Sequence, residues 1–173
     1  MDNNKIREIF ESFRYLTNLK SLSLNHNKLS GLSDSIAKLE SLNASNNLLK
    51  DLPLGFGKLN ALKKLDLEFN QIDVLPESFK EMYSLEELHL NNNQLSSTVE
   101  ELGDLTNLKS LYLNHNLLEK LPKELKNLKN LQNLYVGDNK LTEIFEQIGD
   151  LNNLEYFDAH NNFLKYLPNS IED

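Results

Sequence analysis

Residues that could bind a ligand or catalyse a reaction gather in the second half of this 173-residue chain, where histidines and aspartates occur among tyrosines. Histidine can act as an acid–base group, and together with carboxylates it can hold a metal ion or activate a serine. The residues that come nearest to a catalytic triad are Ser110, His89 and Asp66. The residues that could hold a metal ion are His89, His115, Asp138 and His160. What these side chains can do depends on the elements that position them.

Composition excludes several kinds of chemistry. The chain has no cysteine, so a disulfide framework, a thiolate zinc site, an iron–sulfur cluster and a cysteine nucleophile are excluded. Its formal net charge is −8, which disfavours duplex DNA and anionic membranes, because both are bound through clustered lysine and arginine. We therefore predict no nucleic-acid partner and no membrane insertion.

One basic run departs from this acidic balance. It consists of Lys120, Lys123, Lys126 and Lys129. We interpret it as a solvated face, with an acidic partner or a lipid headgroup as the alternative. The first residues contain no apolar signal segment, and no stretch approaches the roughly 20 apolar residues of a membrane span. The expected compartment is cytoplasmic, or extracellular if a signal peptide has been removed.

A nine-residue pattern, L-x-x-L-x-L-x-x-N with occasional apolar substitutions, recurs seven times along the chain. Most steps between its closing asparagines are 23 residues, and the first step is 20. The same spacing extends the pattern back to Asn4. The closing residues are Asn27, Asn47, Asn70, Asn93, Asn116, Asn139 and Asn162. An internal repeat of this length predicts a stacked solenoid.

The second half of each repeat is equally regular and follows the pattern L-x-x-L-P-x-x-F-x-x-L. All four prolines, Pro53, Pro76, Pro122 and Pro168, occupy one position of it. The other repeats hold Phe10, Ser33, Val99 or Phe145 there. The whole pattern, over residues 4–173, resembles the leucine-rich repeat family, in the 23-residue subclass of Ras-pathway scaffolds, cell-polarity scaffolds and plant and bacterial intracellular proteins.

The resemblance implies an α/β fold, a leucine-rich-repeat solenoid whose parallel β-sheet forms a right-handed arc with an irregular or short helical convex side. We predict that residues 1–18 form a partial repeat or a helical cap, and that residues 19–173 form one solenoid domain of seven strands. The asparagines should form a hydrogen-bonded ladder at the turn after each strand. The prolines should set the backbone of the return segments. Neither set receives a functional role.

The return segments should cover only one face of the sheet, which leaves the concave face open to water. We call this surface the open face. Tyr112 and Tyr135 should be neighbours on adjacent strands, and tyrosine is common at interface hot spots. Such a pair could alternatively only stabilise the sheet. The predicted partner-binding residues are Phe69, His89, Tyr112, His115, Tyr135, Asp138, Tyr156, Asp158 and His160.

Metal binding and catalysis are disfavoured by the same layout. The four possible metal ligands belong to four successive strands and to different columns of the sheet, so we expect no metal site. Ser110, His89 and Asp66 would lie on a shallow surface without an oxyanion hole, so we expect no catalytic site. The nearest glycine pair, Gly55 and Gly57, fits no nucleotide-binding motif. We predict no cofactor.

We therefore predict a non-catalytic module that binds a protein partner on its concave face. The alternatives are a substrate-recognition or regulatory segment of a multidomain signalling enzyme, and an exported receptor-type or host-contact protein. If the histidines take part, binding should weaken between about pH 7 and pH 5.5 as they become protonated.

The last coil shows no clear capping unit, and Leu154 and Phe157 would lie beneath it. An uncovered sheet edge is a hazard, because it can pair with another chain. We favour a chain that is a section of a longer repeat protein. The alternative is a homodimer in which a second copy covers the C-terminal coil.

Overall fold

The computed structural model describes residues 1–33, 38–96 and 99–171. Within them, seven three-residue strands form one sheet in sequence order, and each strand pairs in parallel with the next. The register advances by one repeat at each step, so that Leu65 lies beside Leu88. The strands are β1 (Ser21–Ser23), β2 (Ser41–Asn43), β3 (Lys64–Asp66), β4 (Glu87–His89), β5 (Ser110–Tyr112), β6 (Asn133–Tyr135) and β7 (Tyr156–Asp158).

The return segments of the described residues form short 3-10 helices. Pro53, Pro76 and Pro122 stand directly before three of them, with φ between −62° and −69°. These prolines open the return segments as predicted, because proline fixes φ near this value. The 3-10 helices are Glu11–Tyr15, Leu54–Lys58, Glu77–Glu81, Glu100–Asp104, Lys123–Asn127, Glu146–Asp150 and Asn169–Ile171.

The core lies between the sheet and the return segments. The middle residue of each strand from β1 to β6 is a buried leucine, whereas Phe157 in β7 is half-buried. Adjacent return segments also pack against each other, and the rings of Phe56 and Phe79 stack at a centroid distance of 6.1 Å. Each coil therefore covers the apolar side of the next, as in other solenoids.

The predicted asparagine ladder is confirmed. The amide nitrogen of Asn116 donates to the carbonyl oxygens of Leu90, Leu113 and Asn114 at 3.0 to 3.3 Å. Its amide oxygen accepts a hydrogen bond from the backbone N–H of Leu95 at 3.0 Å. The same four bonds are made by Asn47, Asn70, Asn93 and Asn139. The ladder satisfies backbone groups that the bend leaves unpaired inside the stack.

One residue before each of these asparagines, the backbone enters the left-handed region. The φ angles at these positions lie between 49° and 57°, and every residue there carries a side chain. We call these positions the rim of the open face. They are Asn3, His26, Asn46, Phe69, Asn92, His115, Asp138 and Asn161. The rim turn is therefore set by the position in the repeat, although left-handed φ is uncommon for residues other than glycine.

The repeat geometry begins before β1. Asn3 has a left-handed φ of 55°, and its backbone N–H donates to the carbonyl of Asn25 at 3.0 Å. The Asn4 side chain donates to the carbonyls of Met1 and Asp2, as the later asparagines do within their own coils. The division of the chain at residue 18 stays a prediction. Among the described residues, no helix is both long and apolar enough to cross a lipid bilayer.

Candidate functional site

Four aromatic rings stand in a row on the open face, one on each strand from β4 to β7. The ring centroids are 4.2 Å apart between His89 and Tyr112, 4.7 Å between Tyr112 and Tyr135, and 4.8 Å between Tyr135 and Tyr156. The first two pairs are nearly parallel, with interplanar angles of 9° and 12°. We call this row the ring ladder.

The sheet itself produces the ring ladder. His89, Tyr112 and Tyr135 are the last residues of β4, β5 and β6, and they face each other in register. Because parallel strands lie about 4.8 Å apart, side chains in register are spaced at a distance that suits stacked rings. The predicted contact between Tyr112 and Tyr135 is therefore confirmed. What this pair does stays a prediction.

Tyr156 joins the ladder from a different column. It is the first residue of β7 and pairs in register with Asn133, whereas the register partner of Tyr135 is Asp158. Its ring reaches diagonally to Tyr135 and is tilted by 32°. Tyr156 is 50% exposed, which leaves its outer side accessible to a partner.

A small ionic network holds the first ring in place. Glu87 accepts a hydrogen bond from Lys64 at 2.8 Å, and its Oε1 lies 2.6 Å from the His89 Nε2. Partial burial opposes ionisation of Glu87, but its hydrogen bonds with Lys64 and His89 hold the pKa of this carboxyl below its ordinary value. The network links β3 with β4 and fixes the His89 ring against Tyr112.

Beside the ring ladder, two histidines and two aspartates form a second group, which we call the His–Asp cluster. The His160 ring lies between two carboxylates, with Nδ1 at 2.6 Å from Asp158 and Nε2 at 2.8 Å from Asp138. His115 approaches the same Asp138 oxygen at 3.4 Å. Asn161 donates to the other Asp138 oxygen at 3.0 Å. The cluster joins the rims of β5, β6 and β7.

Gly137 makes room for this arrangement. A Cβ atom at position 137 would collide with the His160 ring, so the ring lies directly over the glycine. Gly137 is absent from the predicted binding residues, although the sequence carries a signal for it, because it is the only glycine in its outward column of the sheet. We add it to the site as the residue that lets His160 lie across from β7 to β6.

The electrostatics of the cluster favour charged side chains. Hydrogen bonds with Asp158 and Asp138 raise the pKa of His160 above its ordinary value. The hydrogen bond from Asn161, together with the nearby histidines, lowers the pKa of Asp138. Partial burial opposes ionisation of Asp158, but hydrogen bonds from His160 outweigh it and lower the pKa of Asp158. Since a neutral imidazole has one N–H, His160 can donate to both carboxylates only as an imidazolium.

The structure places the possible metal ligands in two groups. His115, Asp138 and His160 meet in the His–Asp cluster, whereas His89 belongs to the ring ladder. In the described ranges, no group of three or more histidine, aspartate or glutamate side chains is arranged to hold a metal ion.

The three residues considered as a triad are bonded elsewhere. The Ser110 hydroxyl oxygen accepts a hydrogen bond from Asn133 at 3.1 Å, and His89 is held by Glu87. Asp66 accepts hydrogen bonds from the side chain of Asn43 and from a backbone N–H two residues ahead. The site therefore offers aromatic and ionic contacts rather than an assembled nucleophile.

Two other features lie away from the site. Phe69 is at the rim of β3, between Asn46 and Asn92, and is 49% exposed. It belongs to neither the ring ladder nor the His–Asp cluster. In the basic run, Lys120 pairs with Glu143 at 2.9 Å, and the Lys129 ammonium donates to a backbone carbonyl at 3.0 Å.

Comparison with known proteins relates this geometry to a family. The sequence profile of the leucine-rich repeat region matches residues 3–136. The chain is similar to a leucine-rich repeat protein of Leptospira interrogans, with 34% identity and a TM-score of 0.94 over 98% of this chain and 44% of that one. It is also similar to TLR13 in a complex with the single-stranded RNA ssRNA13, with 29% identity and a TM-score of 0.82 over 95% of this chain and 25% of that one.

A curated relative is adenylate cyclase of Schizosaccharomyces pombe, which is 38% identical over 73 residues. The match covers 40% of this chain and 4% of the cyclase. The chain thus spans less than half the length of the Leptospira protein and a small part of the cyclase. The family match covers most of the chain, and the repeats, the parallel sheet and the asparagine ladder agree with it. The chain belongs to the leucine-rich repeat family.

Proposed function

We propose that the chain is a non-catalytic module that binds a protein partner through its open face. Leucine-rich repeats generally serve as protein–protein interaction modules and are typically not catalytic. The observation that supports this proposal most strongly is the ring ladder, a row of four rings in contact on a sheet face that none of the described return segments covers. Rings on such a face have no core to fill, and apolar surface of this kind marks contact sites.

In this proposal Tyr112, Tyr135 and Tyr156 are the anchors. Tyrosine combines a large apolar ring with a polar hydroxyl group and loses little conformational entropy on binding, which is why it is common at hot spots. The surrounding polar side chains supply specificity, as the polar rim of an interface does. These are His89, His115, Asp138, Asp158 and His160, with Phe69 as an outlying apolar contact.

A row of rings could also serve as a platform for the bases of single-stranded RNA. Proteins that bind RNA in this way combine the rings with a positively charged groove for the backbone. On β4 to β7, the outward and rim positions hold neither lysine nor arginine, and they carry Glu87, Asp138 and Asp158. Phosphate groups would meet carboxylates there, so the surface favours a protein over RNA.

The match to adenylate cyclase supports a second candidate function. A short repeat segment inside a large enzyme can position a regulator or a substrate, and the same open face would then serve that enzyme. We propose this as the alternative, with a cytoplasmic setting in both cases.

A second copy of the chain is a further possible partner. At the C-terminal coil, Phe163 is 64% exposed and Leu167 is 59% exposed, and Phe157 beneath them is half-buried. Apolar surface of this kind could be covered in a homodimer. The mass of the chain in solution decides whether the binding unit is a monomer of 20.0 kDa or a dimer.

Selection from a displayed library of random peptides tests the main proposal. Peptides selected on the wild-type chain are measured against the double variant Tyr112→Ala with Tyr135→Ala. Because truncating a hot-spot residue costs about 2 kcal/mol or more, we expect binding to weaken by at least about 30-fold. Light scattering of the same samples reports the mass.

The matched control removes two tyrosines outside the open face. Tyr83 and Tyr166 lie on the return side and are more than half exposed. The variant Tyr83→Ala with Tyr166→Ala should bind the selected peptides as the wild type does. Undiminished binding by the open-face double variant would refute the proposal, and so would a selected RNA oligonucleotide that displaces the peptides.

A further inference from the structure

We infer that the protein partner presents a cationic side chain, and specifically an arginine, to the His–Asp cluster, and that the His160 ring occupies the place of this arginine in the free chain. The inference rests on the proposed function and names the chemistry of the partner. It follows from the shape, the surroundings and the charge of the space that His160 fills.

The shape of the space suits a planar group with donors on two sides. The His160 nitrogens point at Asp158 and Asp138, at 2.6 and 2.8 Å. A guanidinium group is planar, always charged, and carries five N–H donors in a fixed fork that matches carboxylates. It can replace both hydrogen bonds of the imidazolium at once with bonds that are equally charge-assisted, and its fork can bind a carboxylate through two N–H groups.

The surroundings of the space are open enough for a side chain from outside. Its floor is Gly137, where the missing Cβ leaves room for a flat group. On one side it borders the ring ladder, because Tyr135 is the register partner of Asp158. An arginine that entered here would lie beside the edge of the Tyr135 ring, which has the Tyr112 ring on one side and the Tyr156 ring on the other.

The charge of the space is not balanced by another fixed cation. On β4 to β7, the outward and rim positions hold neither lysine nor arginine. The low pKa values of Asp138 and Asp158 keep both carboxylates ionised at neutral pH. Apart from His160, the group of the cluster that can carry positive charge is His115, at 3.4 Å from Asp138.

The position of His160 allows its ring to move out from between the two carboxylates. It lies just after β7, at the edge of the sheet, and its side chain is 50% exposed. When its ring loses a proton, one nitrogen keeps a lone pair that faces a carboxylate, so the ring then holds at most one of its two hydrogen bonds. The groups that face the ring are Asp158 on its own coil, Asp138 on the preceding coil and His115 beyond it. Competition from His160 should therefore weaken as the pH rises.

A titration of the full chain with two small probes tests the inference. The probes are N-acetyl-arginine amide and its neutral isostere, N-acetyl-citrulline amide, followed by NMR at the backbone amides of Gly137 and Asp158. We expect the arginine probe to shift these signals and the citrulline probe to leave them unchanged. The substitution Asp158→Asn should abolish the shift.

The decisive variant is His160→Ala, which should bind the arginine probe more tightly than the wild type. If the ring fills the space nine-tenths of the time, its removal raises the apparent affinity about tenfold. A structural role for His160 would give the opposite result. The double variant Asp51→Asn with Asp73→Asn, on the exposed return side, changes the net charge by twice as much as Asp158→Asn and should leave probe binding unchanged. Thermal melting confirms that each variant is folded.

Equal shifts with both probes, or weaker arginine binding in His160→Ala, would overturn the inference. Peptides that need Tyr112 and Tyr135 but contain no arginine or lysine would also overturn it, and the proposed function would stand. Selected peptides that bind regardless of these tyrosines would instead refute the proposed function, whatever the arginine probe does.

Discussion

The two halves of the open face share one scaffold but carry different surfaces. In β1 to β3 the last strand residues are Ser23, Asn43 and Asp66, whereas in β4 to β6 they are aromatic. The scaffold beneath does not change between the halves. The asparagine ladder has the same bonds at Asn47 and Asn116, with lengths between 2.9 and 3.3 Å. The repeat therefore encodes the scaffold and leaves the outward residues free to encode contacts.

Several polar side chains in the first half of the open face bond to one another. The Ser23 hydroxyl donates to Asp2 at 2.6 Å, and the Asn43 amide donates to Asp66 at 2.9 Å. The Asn43 side-chain oxygen accepts a hydrogen bond from the Ser45 hydroxyl at 2.8 Å. A partner would have to break these bonds to gain its own. The second half also contains bonded side chains in the His–Asp cluster, but it presents in addition the rings of Tyr112, Tyr135 and Tyr156, which pack against one another. This difference is the reason for proposing the second half as the contact surface.

The largest expected effect is the loss of unfolding free energy when an asparagine of the ladder is removed, and it tests whether the scaffold is the same in both halves. Asn47→Ala and Asn116→Ala each remove a buried amide that makes four hydrogen bonds. Leaving buried backbone groups unpaired costs about 1 to 3 kcal/mol for each group, so each variant should lose at least about 3 kcal/mol of unfolding free energy. Urea unfolding measures both losses. A loss at one position that is less than half of the other would show that the scaffold differs between the halves.

The next largest effect is the loss of stability caused by glycine-to-alanine substitution, compared between a scaffold position, Gly103, and a surface position, Gly137. In Gly103→Ala, the new Cβ would lie 2.8 Å from the backbone carbonyl of Glu124, so the neighbouring return segment has to move. Overpacking of this kind costs about 2 kcal/mol. In Gly137→Ala, the new Cβ meets the His160 ring, which is exposed and can swing away, so the loss should stay below about 1 kcal/mol.

These two variants are compared by thermal melting, together with an NMR titration of His160. Gly137→Ala should also return the pKa of His160 toward its ordinary value, because the ring can no longer lie between its two carboxylates. An equal loss of stability in both variants would contradict the distinction between scaffold and surface. An unchanged His160 titration would show that the ring does not need the glycine.

The smallest effect concerns the pH dependence of the His–Asp cluster in the second half. His160 has a raised pKa when folded, so its contribution is fully present below its unfolded value of 6.5 and is lost as the pH rises through the folded value. The lowered pKa values of Asp138 and Asp158 act in the opposite direction. Their contribution is present above 3.8 and is lost as the pH falls through their folded values.

Melting temperatures of the wild type and of His160→Ala, measured from pH 4 to pH 9, give this contribution directly. The difference between the two proteins should be largest near pH 5 to 6 and should shrink toward pH 9. His26→Ala, at the rim of β1, serves as the matched control in the first half. A difference that grows with pH would contradict the ionic contacts of His160.

The sequence alone predicts the fold well, because every repeat has the same spacing of leucine and asparagine. The leucine spacing predicts the strands, and the closing asparagines predict the ladder that Asn116 illustrates. The contact between Tyr112 and Tyr135 is also predictable, since a constant repeat length places equivalent residues in register.

Contacts between different columns of the sheet could not be predicted in this way. Tyr156 reaches Tyr135 diagonally, and His160 crosses from β7 over Gly137 to Asp138. Both contacts depend on the rotamers of long side chains and on a local gap, neither of which follows from the repeat. Both contacts lie at the β7 end of the candidate site, so the sequence predicts the candidate residues and the contact between Tyr112 and Tyr135 but not these two contacts.

The asparagine ladder has a mechanical consequence. Each rung ties a coil only to the coils directly beside it, as the bonds of Asn116 to Leu90 and Leu95 show. Tension applied between the two ends would therefore act on one rung at a time, beginning at β7, whose middle residue Phe157 is the least buried. Each released coil of 23 residues would lengthen the chain by about 80 Å, at roughly 3.5 Å per extended residue. Under force the chain would therefore unfold sequentially, one coil at a time, from the end that carries the ring ladder.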